Sequence, residues 1–398
     1  MKRKPAKAEE HRGAWIPYGR QSMDDEDIRY VVKALRSDWL TTGPLVDEFE
    51  QAFSRWTGAR EAVAVSSGTA ALHAAMYAAG IGAGDEVIVP AMTFVATANS
   101  VLYQGGTPVF ADVDPNSLLI NPGDAESRIT SRTKAIVTVD FAGQPCDYPS
   151  FRKIARKHNL LLIADSCHAL GAEHAGKKTG TLADLTVFSF HPVKHITTGE
   201  GGMIATDDAE MARRMRLFRN HGIASDHRQR ASQNTWFYEM VDLGFNYRIT
   251  DIQCALGLSQ LGKLPQWLER RRKIARRYDE AFADMPVLKP LAVSDAVLHA
   301  YHLYVVRYTA DAPGMDRDEF FSRMRREGIG VNVHYIPVPC HPYYRIKFGY
   351  RQGDFPSAEA AYKQIVSLPM FPAMSDGDVD RVIAAVHKIT GQVPQLQP

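Results

Sequence analysis

Between about residue 60 and residue 205 the chain alternates two textures. Short apolar runs ("EAVAVSS", "DEVIVP", "TPVFADV", "TKAIVTVDF", "LLLIADS", "TVFSF") are separated by helix-like stretches such as "GTAALHAAMYAAG", "TANSVLYQGG" and "SFRKIARKHN". Apolar strands that alternate with helices predict a mainly parallel sheet covered on both faces, an α/β domain. In open sheets of this kind ligands collect beyond the carboxyl ends of the strands, where "SSGTA", "PAMTF", "DFAGQP", "ADSCH" and "FHPVK" all fall. Beyond Pro265 the texture changes to a long charged helix reaching about residue 285, a strand "HLYVVRYT", a helix "DRDEFFSRMRREG", a strand "IGVNVHY", a Pro-rich turn and a last helix near 376 to 390. That order predicts a smaller α+β domain.

The composition, 45% hydrophobic and 23% charged over 398 residues, is that of an ordinary folded protein. A net charge of +2 gives no electrostatic case for nucleic acid or an acidic membrane. The densest basic run, "ERRRKIARRYD", reads as a solvated helix in which Glu269 pairs with Arg272 or Lys273 at helical spacing. Cys146, Cys167, Cys254 and Cys340 are scattered without a CxxC pair, which argues against a disulfide framework or a zinc site and for a reducing compartment. The charged start "MKRKPAKAEEHRGAW" has no apolar segment after it, and no 18-residue apolar run follows elsewhere. We expect a disordered arm over residues 1–14, a cytoplasmic location and no membrane contact.

The candidate chemistry lies in "VFSFHPVKHITTGEGG", residues 187 to 202. A strand-like run ends at Pro192, and Lys194 follows in a crowded setting where desolvation can lower an amine pKa and make it nucleophilic. That suggests a Schiff-base lysine. Asp165 closes "LLLIAD" and reads either as a helix cap or as a carboxylate set against a pyridine nitrogen. "SSGTAALHAAM" opens a helix after a strand, so its N-H groups form an anion site, unless Ser67 or Thr69 merely caps the helix. Phe94 is either a ring-stacking residue or core. His168, three residues after Asp165, is either a cofactor contact on a helical first turn or a satisfied core histidine. His191 and His195 flank Lys194 without a metal-binding pattern, and no metal is expected. Together a lysine, a carboxylate and a phosphate cradle are the three parts that pyridoxal 5'-phosphate needs.

On "SSGTAAL", "PAMTFVATAN", "VDFAGQPCD", "ADSCHALGAE", "FSFHPVKHITTGEGG", "LGFNYRITDIQCALGLSQL" and "VHYIP", the chain resembles the DegT-type nucleotide-sugar aminotransferases. The resemblance runs from "IPYGRQSMDDEDI" to the C-terminal helix, and "FHPVKHITTGEGG" with "DSCHALG" looks most like the pseudaminic acid branch of that family. It implies the α/β aspartate aminotransferase fold, type I. A large domain over residues 15–265 would hold a central, mostly parallel, seven-stranded sheet, with a smaller C-terminal α+β domain over residues 266–398. It implies that Lys194 forms the Schiff base, Asp165 meets the pyridine nitrogen and His168 sits near the ring hydroxyl. The phosphate would lie on Gly68, Thr69, Ala70 and Ser189, under Asn246 of a neighbouring subunit in a homodimer, with Phe94 over the ring. Tyr18, the stretch Asp38, Trp39, Leu40 and Thr41, and the stretch Asn332, Val333, His334 and Tyr335 match sugar-nucleotide contacts, although Trp39 also reads as core and "NVHY" as a plain strand. The implied reaction takes an amino group from L-glutamate to C4 of a UDP-linked 4-keto-6-deoxy sugar. Alternatives are another UDP-, dTDP- or GDP-linked 4-keto sugar, or a cofactor-binding regulator or inactive paralogue. Relatives that dehydrate at C3 carry histidine where this chain has Lys194, which argues against that reaction.

Overall fold

The computed structural model describes residues 14–225, 227–309 and 315–391, so most of the expected N-terminal arm lies outside the described residues. The apolar runs form seven strands: β1 (Glu61–Val65), β2 (Glu86–Pro90), β3 (Thr107–Ala111), β4 (Thr133–Val139), β5 (Leu161–Asp165), β6 (Leu185–Ser189) and β7 (Gly202–Thr206). They make one sheet in the order β1-β7-β6-β5-β4-β2-β3. Only β7 runs against its neighbours, pairing antiparallel with both β1 and β6. Six of the seven strands, all but β4, have no exposed position. That is what a sheet covered on both faces requires of its sequence, a run of apolar residues without alternation.

Because β1, β4, β5 and β6 point the same way, Val65, Val139, Asp165 and Ser189 all end at one edge. Asp165 stands opposite Val187, so Ser189 lies two residues further along the neighbouring strand. The chain leaves β1 directly into the helix Gly68–Ala78, which starts where Ser67 caps it with its side chain.

A second core gathers Ile274, Tyr278 and Phe282 of the helix Asp251–Phe282 with Val306, Phe320, Val366 and Val382. It includes a three-stranded antiparallel sheet of Leu288–Pro290, Tyr304–Tyr308 and Ile365–Leu368, and Ile16 from the start of the described chain packs into it. Three expectations need correction here. Pro265 does not start a helix but sits inside one of 32 residues, begun by a capping box of Thr250 and Gln253. Glu269 pairs with Arg276 at 2.8 Å, while Arg272 turns inward to the His299 carbonyl. "IGVNVHY" is no strand: its pairing consists of isolated bridges from Ile329 to Ile16 and from Asn332 to Ser367. The last helix runs Asp376–Thr390, as its periodicity predicts. No helix among the described residues is long and apolar enough to cross a membrane.

Candidate active site

Asp165 is buried at the end of β5. One carboxylate oxygen accepts the Thr97 hydroxyl at 2.8 Å and the other the Cys167 N–H at 3.2 Å. Since Thr97 donates to Asp165, the Thr93 hydroxyl 2.8 Å away must donate to Thr97, which gives a short directed chain. No helix starts after Asp165; residues 166–172 form turns, so the capping alternative is removed, and His168 is not on a helical first turn. Behind it, buried Asp140 accepts Ser166 Oγ at 2.6 Å and the Cys146 N–H at 2.9 Å, and burial raises its carboxyl to about 6.

Lys194 lies five residues past β6, in a turn closed by its own N–H to the His191 carbonyl at 2.9 Å. It forms no ion pair with any described residue. Burial lowers its proton affinity, opposed by the nearby Cys167 and Asp165. The two flanking histidines divide: His191 is exposed, while His195 is buried and donates from Nε2 to the Ala300 carbonyl at 3.1 Å. The following residues fold back through Thr197 Oγ1 to the Phe190 carbonyl at 3.0 Å and the Gly199 N–H to Thr197 Oγ1 at 2.9 Å.

The helix N-terminus after β1 is pressed against Ser189. A Cβ on Gly68 would stand 2.8 Å from Ser189 Cβ and 3.1 Å from its hydroxyl, so glycine is what allows the approach. Ser67 Oγ already accepts the Ala70 N–H at 3.0 Å. The N–H groups of Gly68 and Thr69 belong to the first turn, which has no intrahelical acceptors to offer them.

His168 is buried beside these groups, with Nε2 3.0 Å from the Tyr335 hydroxyl and Nδ1 without a protein partner. Burial first, and Lys194 second, push its imidazole well below the usual histidine range. The irregular segment 332–335 arrives here from the second core: the Tyr335 N–H points to Met92 Sδ, and His334 Nδ1 lies 2.8 Å from Ser367 Oγ. Tyr18 packs its ring 5.5 Å from that of His334 and bonds to Asn332, while Val333 donates its N–H to Asn332 Oδ1. Phe94, 55% exposed, stands with its ring 5.9 Å from that of Tyr335.

The stretch 38–41 lies at another rim. The Leu40 carbonyl accepts the Asp251 N–H at 3.0 Å, Thr41 bridges Thr250, and Trp39 packs against Gly43. Gln253, one turn on, donates to the Glu200 carbonyl at 2.6 Å, which ties this rim to the turn after Lys194; Asp38 is exposed. Asn246 is exposed on a segment that pairs by backbone with residues 218–221 and sets the rings of Phe245, itself exposed, and half-buried Tyr247 against His73. The Tyr247 carbonyl accepts the Ser66 N–H at 2.9 Å, next to the Gly68 turn. Sequence reasoning missed Thr97, Asp140 and His302, whose ring lies 4.4 Å from that of His168. Thr97 stood inside the quoted "PAMTFVATAN", three residues after Phe94, and that spacing was the available signal.

A model described as the DegT/DnrJ/EryC1/StrS aminotransferase family matches residues 21–387. The spore coat polysaccharide biosynthesis protein SpsC of Bacillus subtilis is 44% identical over 380 residues, 95% of this chain and 98% of its own. Among solved structures, PseC of Helicobacter pylori, an aminotransferase involved in the biosynthesis of pseudoaminic acid, is 34% identical with a TM-score of 0.88, covering 95% of this chain and 99% of its own. The PLP form of the Streptococcus pneumoniae protein Spr1654, given as a sugar aminotransferase, is 33% identical with a TM-score of 0.88, covering 95% of this chain and 99% of its own. Pyridoxal 5'-phosphate is accordingly the cofactor, and the residues present fit it. A lysine without an ion pair, a buried carboxylate, an imidazole nitrogen without a protein partner and a glycine-opened helix N-terminus meet at one sheet edge.

Proposed function

The chain belongs to the DegT/DnrJ/EryC1/StrS aminotransferase family, and from that premise we propose that it transfers the amino group of L-glutamate to C4 of a UDP-linked 4-keto-6-deoxy sugar. The substrate would be UDP-2-acetamido-2,6-dideoxy-β-L-arabino-hexos-4-ulose and the product UDP-4-amino-4,6-dideoxy-N-acetyl-β-L-altrosamine, made in the cytoplasm by a homodimer. The observation that carries the chemistry is Lys194, half-buried, without an ion pair to any described residue and lowered in proton affinity, beside Asp165 at the neighbouring strand end. The similarity to PseC supports the sugar.

When bound, pyridoxal phosphate supplies a carbonyl for the amine and an electron sink for the carbon that loses a proton. In this reading Asp165, oriented by Thr97, holds the pyridine nitrogen protonated. The Gly68 and Thr69 N–H groups, the backbone at Ala70 and the Ser189 hydroxyl hold the phosphate, Phe94 covers the ring and His168 meets the ring hydroxyl. Lys194 takes a proton from the glutamate α carbon and later returns one on the sugar side, which asks for an amine that is neutral near pH 7. Residues 15–265 would hold the cofactor and residues 266–398 would close on the sugar nucleotide through Asn332, Val333, His334 and Tyr335, facing Tyr18. Asp38, Trp39, Leu40 and Thr41 would form the opposite rim.

Asn246 would serve the partner's phosphate. The exposure of Trp236, Met240 and Leu243 at 85%, 65% and 70% in the segment leading to it supports a second copy as their cover. The higher identity to SpsC, 44%, favours a second reading in which the acceptor is a different nucleotide-linked 4-keto sugar. A panel of UDP- and dTDP-linked 4-keto sugars with L-glutamate, followed by 2-oxoglutarate release, separates the two. Turnover of the UDP-L-arabino-hexos-4-ulose above all others supports the first reading, and preference for another member of the panel replaces it.

A further inference from the structure

Behind His168 the interior holds two more imidazoles. The rings of His168 and His302 lie 4.4 Å apart and tilted by 44°, and those of His302 and His195 lie 5.6 Å apart. All three residues are at least nine-tenths buried, and the Nδ1 atom of each has no partner among the described residues. His195 is fixed at its other end, since the Ala300 carbonyl can only accept and so keeps the proton on Nε2. Among the described residues no carboxylate pairs with any of the three rings. An unpaired buried nitrogen costs about 1–3 kcal/mol, which a phenylalanine or leucine would avoid, so packing alone does not account for three in a row.

The groups facing this column come from four separate segments. Lys194 approaches from the turn after β6, and Arg271 from the long helix, with its guanidinium on the carbonyls of Tyr301, His302 and Met370. His299 flanks His195, His334 lies near His168, and Tyr335 bonds to His168 Nε2. Burial itself, then Arg271 and Lys194 whenever it is protonated, act in one direction, keeping the imidazoles neutral. The backbone is equally fixed: a Cβ on Gly143 would stand 2.9 Å from the His168 carbonyl and 3.0 Å from the His302 N.

We propose that His302, backed by His195, is a positioning residue that holds the neutral His168 ring in the orientation it presents to the cofactor. The idea rests on the reading that His168 meets the cofactor ring. His302 reaches the chemistry only through His168, and its imidazole keeps a polar, polarisable wall where a hydrocarbon would desolvate any charge near Lys194 further.

The test uses the full-length holoenzyme and the pH dependence of the visible absorbance of the bound cofactor, together with the rate of cofactor release on dilution. His302→Phe keeps a flat ring and removes the nitrogens; His302→Gln keeps polarity at lower volume and gives a second variant if the first folds poorly. We expect the spectral midpoint to fall by about half a pH unit in His302→Phe, since a less polar wall disfavours the charged form, with release accelerated several-fold. His302→Gln should recover most of both. Wild-type midpoint and release rate in both variants would overturn the positioning role, provided that His168→Gln shifts the spectrum. If His168→Gln also leaves the spectrum unchanged, the reading of His168 itself fails.

Discussion

Lys194 and Asn246 are built on opposite terms. Half-buried Lys194 and buried Asp165 and His168 gather at the chain's own strand ends, and each oxygen of Asp165 has a donor from the same chain. Asn246 stands in the open, at the end of a segment whose Trp236, Met240 and Leu243 face outwards. Residues of this chain enclose the first region, whereas the described residues leave the second with exposed apolar surface. The backbone bond from Ser66 to Tyr247 nevertheless joins the two regions within one chain.

The contrast can be broken most directly at its enclosed end. Lys194→Ala should lower transamination by about 10⁴-fold while cofactor still binds if it is, as proposed, the group that moves the proton; retained activity in a single-turnover assay would exclude Lys194. Mixing inactive Lys194→Ala chains with Asn246→Ala chains tests the open end. In the proposed homodimer random pairing would make half of the dimers mixed, each with one intact site, so about a quarter of the wild-type rate should return. No recovery would mean that Asn246 serves its own subunit or none. Trp236→Glu should weaken self-association by about 30-fold if this residue anchors the interface, read by sedimentation at falling concentration; an unchanged dimer would move the interface elsewhere. The smallest effect is expected at Thr97→Val, which takes one hydroxyl from Asp165. Cofactor affinity should drop by about tenfold or less with little change in thermal stability, and unaltered affinity would show that Thr97 is only packing.

The parallel sheet was legible because its apolar runs end abruptly in Gly, Pro and Ser, and that pattern alone assigns "ADS" and "FHPVK" to strand ends. The contacts between those ends and distant segments were not. Thr97 meets Asp165 across 68 positions, and Tyr335 meets His168 across 167, through docking that no local period encodes. "IGVNVHY" has strand alternation, yet its residues are spent on bonds to Tyr18, Ser367 and Met92 instead of a ladder. Pro265 was read as a boundary because proline usually ends a helix, but the packing of the surrounding helix on two cores outweighs one lost bond. Glu269 similarly had nearer partners by spacing, which Arg272 forfeits by turning to a buried carbonyl.

The bare backbone at Gly68 and Gly202 also has a hereditary meaning. At Gly68 any added carbon lands 2.8 Å from Ser189, and at Gly202 it lands inside the carbonyl of Ser67, on the facing side of the same junction. Every missense change in either codon adds that carbon, whichever base is altered. Descendants of this gene can drift across the charged helices by small steps, but at these two codons there is no small step to take.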